Sequence, residues 1–111
     1  MAYVRACALE EVREDEGLGV TVDGLEVVLA RCGDELFALQ DMCSHAAVAL
    51  SEGMVEDCQV ECFLHGSMFD LRTGKPTNLP ATEPVSTFPV EVRDDGVYVD
   101  VTRPLNGVEP G

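Results

Sequence analysis

Residues 62–76 read CFLHGSMFDLRTGKP. The stretch opens on Cys62 and His65, passes through Gly66 and Ser67, and continues as a short strand with a turn at Thr73-Gly74-Lys75. Upstream, residues 41–48 read DMCSHAAV, which places Cys43 two positions before His45. The chain has 111 residues, five cysteines and two histidines, and both histidines stand within three residues of a cysteine. Residues 46–61 separate the two pairs. One C-x-H pair is readily a coincidence. Two pairs that use every histidine in the chain are not.

Several chemistries accept such residues. Zinc takes two cysteines and two histidines, but finger spacings group cysteine with cysteine and histidine with histidine. Here each half is mixed, and C-x-H is tight for one tetrahedral ion. A Cys/His nucleophilic site uses one pair and leaves the second idle. A [2Fe–2S] cluster takes four ligands, and an arrangement with two cysteines on one iron and two histidines on the other is known. Cys43 and Cys62 would hold one iron, and His45 and His65 the other.

The rest of the chain reads as β. AYVRAC (2–7) is an opening strand. GLEVVLAR (24–31) and ELFALQ (35–40) flank CGD as a hairpin, and VSTFPVEVR (85–93) and GVYVDV (96–101) flank DDG as another. The acidic stretch 9–17 has room for one helical turn at most. Between the β-rich ends lies an irregular middle, about 41–83, with short strands at QVEC (59–62) and SMFDLRT (67–73). Long irregular segments inside compact domains are usually functional. The tail RPLNGVEPG (103–111) is expected to be loose.

The C-x-H and C-x-x-H-G-S spacing, with its continuation through CFLHGSMFDLRTGKP to LPATEPV, resembles the Rieske-type ferredoxins that serve bacterial non-haem iron oxygenases. The resemblance covers nearly the whole chain. It implies an all-β fold: an antiparallel β-sandwich or barrel base with an inserted, loop-built cluster-binding lobe, all in one Rieske domain over 1–111. It implies a [2Fe–2S] cluster of Rieske type, ligated by Cys43, His45, Cys62 and His65, with the Ser67 hydroxyl on a bridging sulfide. Leu79-Pro80-Ala81 corresponds to a loop that covers the cluster, and Ala46, Ala47, Val48 and Leu64 to an apolar rim around the histidines. High-potential relatives carry a disulfide where this chain has Val48 and Leu64, and a tyrosine where it has Phe69. Neutral imidazoles raise the potential into a range of roughly −150 to +300 mV. Without the disulfide and the tyrosine, the lower part of that range is expected.

Twenty-one acidic residues against seven basic ones give a formal charge of −14. Such a surface repels nucleic acid and anionic membranes and favours solubility, or docking on a basic protein face. No apolar run reaches the length of a membrane span. The N-terminus lacks the basic and apolar regions of a signal peptide, so a cytoplasmic location is expected. Reduced thiols follow: Cys7 and Cys32 as small packed side chains, and Cys58 as a plain thiol on the strand face of Cys62. With both histidines assigned, none remains for a two-histidine, one-carboxylate oxygenase iron, and no G-x-G-x-x-G fingerprint marks a nucleotide domain. The reading is a monomeric one-electron carrier, not an enzyme, between a flavoprotein ferredoxin reductase and a terminal oxygenase or other acceptor. Its alternatives are a ferredoxin of iron–sulfur cluster assembly and a non-redox zinc-binding interaction module.

Overall fold

The computed structural model of the chain describes residues 3–43, 48–64, 66–79 and 81–108. Among these residues the strands run in the order β1 (Val4–Cys7), β2 (Leu18–Val22), β3 (Leu25–Cys32), β4 (Glu35–Gln40), β5 (Val55–Glu56), β6 (Gln59–Glu61), β7 (Met68–Asp70), β8 (Thr87–Phe88), β9 (Val90–Arg93) and β10 (Gly96–Val99). They form three antiparallel sheets, ordered β1-β10-β9, β2-β3-β4-β8 and β5-β6-β7. The described helical residues are two single 3-10 turns, Leu9–Glu11 and Leu50–Glu52. The first falls in the acidic stretch that had room for one turn. None of the described helices is long and apolar enough to cross a membrane.

Strand β3 organises the molecule. Val27, Val28, Leu29 and Ala30 are all buried. Successive side chains on a strand point to opposite faces, so a run of four buried apolar residues means that both faces are covered. Val27 and Leu29 pack with Cys7, Val22, Ala38, Phe88, Val97 and Val99, the core between the first two sheets. Val28 and Ala30 pack with Leu39, Leu50, Val60, Phe69, Leu71 and Val85, and with Cys43 and Cys62. One face of β3 therefore builds the base, and the other seats the segment that carries both sequence-predicted cysteine ligands. Each fully buried Val or Leu on either face stabilises by about 1.5–3 kcal/mol.

Four features depart from the sequence reading. Strand β2 was not anticipated, although Asp23-Gly24 between two apolar runs is a strong hairpin signal; it pairs with β3 along its whole length. The expected strand 85–93 is two strands in different sheets. Thr87–Phe88 pairs with β4 and Val90–Arg93 with β10, with the break at Pro89, whose missing N–H cannot continue a ladder. The tail is not loose as far as Val108. The Asn106 amide donates to the Thr73 carbonyl at 2.9 Å and the Val85 carbonyl at 2.8 Å, and its oxygen accepts from Thr87 N–H at 3.3 Å and Val108 N–H at 3.2 Å. Leu105 N–H donates to Thr87 at 2.7 Å.

The fourth departure concerns the cysteines. Cys32 and Cys58, expected as separate thiols, form a disulfide with a Cα–Cα separation of 5.1 Å. Cys58 is not on a strand face shared with Cys62. It is the second residue of the Asp57-Cys58 turn between β5 and β6, where both φ angles are positive, 52° and 61°. The turn swings Cys58 back to the end of β3. Nothing in the spacing of the two cysteines marks this, because the contact joins two different hairpin turns. Cys7 packs in the base core as expected. Burial raises its thiol pKa, the Glu11 carboxylate adds to the rise, and Arg5 opposes it.

Asn106→Ala removes several partly buried hydrogen bonds at once. It should lower stability by about 1–3 kcal/mol, read as a fall in the urea midpoint at unchanged m. An unchanged midpoint would mean that the tail contributes nothing to the fold.

Candidate metal centre

The two cysteine loops are built the same way. Cys43 N–H donates to the Val48 carbonyl at 3.0 Å, and Cys62 N–H to the Ser67 carbonyl at 2.7 Å. In each loop the cysteine amide closes on the carbonyl five positions ahead, 43 to 48 and 62 to 67. C-x-H and C-x-x-H thus occupy loops of equal span despite their different internal spacing. His45 and His65, with Ser44, Ala46, Ala47 and Pro80, lie outside the described residues.

Each loop is anchored at its margins. Before the first, Asp41 N–H donates to the Glu26 carbonyl at 3.0 Å. The buried Asp41 carboxylate accepts from Ser51 N–H and from the Ser51 hydroxyl, both at 2.7 Å. In the second loop, Gly66 N–H donates to the Cys62 carbonyl at 2.8 Å. Gly66 has φ of +78°, and a Cβ there would meet nothing within 4 Å. Backbone conformation, not crowding, selects glycine at this point. Asn78 then ties the third loop to the second: its side chain accepts from Met68 N–H at 2.6 Å and donates to the Gly66 carbonyl at 3.1 Å. Ala81 N–H donates to the Ser67 hydroxyl oxygen at 3.0 Å. The third loop, expected from sequence as a cover, is hydrogen-bonded to the second on both sides of Pro80.

Polarity is inverted across these loops. Cys43, Cys62 and Ser67 are buried, at 3%, 0% and 1% exposure, and Phe69 is fully buried in the same core as both cysteines. Phe63 and Leu64 are each 49% exposed and Leu79 is 74% exposed. Two thiols therefore point into the protein while large apolar side chains face water. Of the expected rim, Leu64 is exposed and Val48 is half-buried against the core. Phe63 and Leu79 are exposed as well; the sequence reading named Leu79 only as part of the covering loop and did not name Phe63. Neither Cys43 nor Cys62 enters a disulfide, and among the described residues no group of three or more His, Cys, Asp or Glu forms a competing metal site. Two buried thiols on matched loops, each loop bearing one histidine in sequence, fit a mixed cysteine–histidine two-iron cluster.

Residues 2–89 match the family described as the Rieske [2Fe-2S] domain. The chain belongs to that family. A Rieske relative, the anthranilate 1,2-dioxygenase ferredoxin subunit of Burkholderia cepacia, is 46% identical over 94 residues, covering 85% of this chain and 87% of that one. The solved ferredoxin of carbazole 1,9a-dioxygenase from Nocardioides aromaticivorans IC177 superposes with a TM-score of 0.83 at 33% identity, over 100% of both chains. A complex of reduced oxygenase and oxidized ferredoxin in carbazole 1,9a-dioxygenase contains a chain matching at TM-score 0.80 and 34% identity, over 87% of this chain and 91% of that one. The cofactor is accordingly a Rieske-type [2Fe–2S] cluster.

Within this Rieske domain the sequence motif pointed to the two loops but not to their supports. Asp41 and Asn78 carry the anchoring bonds, and both read in sequence as ordinary turn residues. Gly53 is a third support. A Cβ on it would lie 1.7 Å from the Glu61 carbonyl oxygen, one residue before Cys62. Gly53→Ala should push β6 away from the turn at 50–52 and lower Tm by about 10 °C or more, measured by circular dichroism. An unchanged Tm would mean that the close approach is dispensable.

Proposed function

We propose that the protein is the ferredoxin component of a non-haem iron oxygenase system, a one-electron carrier and not itself the catalyst. The whole chain acts as one Rieske domain, with its cluster lobe over about 41–83. Cys43 and Cys62 would hold one iron of the cluster, and His45 and His65 the other. The observation that carries this is the pair of matched loops, each with a buried cysteine closed on the carbonyl five positions ahead. The cluster supplies one reversible electron. The ferredoxin relatives named for dioxygenase systems, and the oxygenase–ferredoxin complex among the structural matches, support the choice of client.

The chain's own residues set the conditions for that electron. The buried core against Cys43 and Cys62 excludes water from the inner side. Ser67 accepts from Ala81 N–H, which leaves its own hydroxyl proton available and would let it donate to a sulfide of the bound cluster. Phe69 packs in the same core without a hydroxyl to offer. Phe63, Leu64 and Leu79 give a small apolar contact face on a molecule of charge −14. Apolar contact with electrostatic steering suits brief docking by a flavoprotein reductase and then by a terminal oxygenase. The carrier works as a cytoplasmic monomer.

The purified protein should be reddish-brown and give a Rieske EPR signal on reduction. It should also be required for product formation by a reductase and a ring-hydroxylating terminal oxygenase. His45→Ala and His65→Ala should each lose the signal; a colourless, EPR-silent wild type, or an intact signal in either variant, would sink the assignment.

Phe69→Tyr places a hydroxyl in the core that holds both cysteines. A new hydrogen bond to a cysteine sulfur, worth about 1 kcal/mol, should raise the potential by about 40 mV. Potentiometric titration with no upward shift would mean that residue 69 does not face the cluster.

A further inference from the structure

The Cys32–Cys58 bond joins two turns that belong to different parts of the fold. Cys32 ends β3 at the β3–β4 turn of the base, and Cys58 sits in the β5–β6 turn of the lobe. The segment it closes, 32–58, contains Cys43 and His45; Cys62 follows four positions after it. Cys32 also packs against the core that contains Cys43 and Cys62.

The backbone at Cys58 is unusual for its residue type. Two-residue turns with both φ angles positive favour Asn-Gly or Asp-Gly. Here the pair is Asp57-Cys58, with φ of 61° at the cysteine. A side chain is kept where glycine is easiest, and its sulfur is bonded.

Around the bond, outside the shared core, the polar links are few. Leu71 N–H donates to the Cys58 carbonyl at 3.0 Å. Arg72 pairs with Glu35 at 3.0 Å and lies 5.2 Å from the centre of the Phe37 ring, but both charged side chains are more than half exposed. Exposed pairs of this kind contribute little. The disulfide is thus the covalent tie at this corner of the junction, at the edge of the core that seats the lobe on β3. Both cysteines are half-buried. Disulfides in reducing compartments are typically transient or redox-sensing.

We propose that Cys32–Cys58 is a reducible staple that clamps the cluster lobe to the base, so that retention of the cluster follows the thiol redox state of the surroundings. The opening step is exchange with a dithiol. One thiolate attacks a sulfur of the pair to give a mixed disulfide, and the second thiol resolves it. Two electrons pass to the pair, Cys32 and Cys58 each gain a proton, and the dithiol leaves as its own disulfide.

Three readouts on the holoprotein, purified without reductant, test this. Denaturation in the presence of iodoacetamide should label the three cysteines outside the bond, Cys7, Cys43 and Cys62, and leave a cross-linked 32/58 peptide. Prior treatment with dithiothreitol should raise the label to all five cysteines. Five labels without reduction would overturn the proposal. Reduction should also lower Tm by roughly 10–20 °C. Bleaching of the visible absorbance by an iron chelator should speed up roughly fivefold or more with dithiothreitol. Cys32→Ser should bleach at the fast rate with or without the dithiol. So should Cys58→Gly, which relaxes the turn and guards against misfolding. Variants as slow as untreated wild type, or variants that dithiothreitol accelerates further, would overturn the proposal. The retention readout rests on the carrier reading, whereas thiol count and Tm are read on colourless protein as well. Failure of one is therefore distinguishable from failure of the other.

Discussion

Burial of one strand on both faces is the constraint from which the architecture follows. Val27 and Leu29 belong to the core between the two base sheets, while Val28 and Ala30 belong to the core beneath the cysteine loops. A strand in this position cannot slip by one residue without exchanging its two sets of neighbours. The register of β3 therefore fixes the placement of the lobe on the base, and with it the depth at which Cys43 and Cys62 lie. The β2–β3 and β3–β4 ladders hold that register from both sides.

The site depends on a division between inward and outward side chains within a few residues of chain. At 62–64 a fully buried cysteine is followed by two half-exposed apolar residues. The Cys62–Ser67 closure and the left-handed Gly66 impose that reversal. The result is a thiol kept from water by the same loop that presents an apolar surface to it. A one-electron carrier needs both: a dry ligand environment and a face that docks without holding on.

The motif was legible because its chemistry is carried by rare residues. Two histidines, each beside a cysteine, stand out in any chain. The central hairpin was legible because VVLA reads as a strand whichever face is buried. What supports the motif was hidden for a physical reason. Asp41, Asn78 and Asn106 act through side-chain bonds to backbone groups far along the chain, and nothing in their local sequence separates them from common turn residues. Pro89 was visible, but its effect was misread: it breaks one apparent strand into two that serve different sheets. Cys32 and Cys58 were misread because expected reducing conditions argued against pairing, and because the β5–β6 turn cannot be placed without the structure.

Asn106 has a practical consequence. Its side chain spans the Thr73 carbonyl of the lobe and the Val85 carbonyl ahead of β8, so the chain around Asn106 runs along the seam between lobe and base. A fusion joint or electrode tether introduced ahead of Asn106 would sever that seam. One attached beyond Val108 leaves the Asn106 bonds in place.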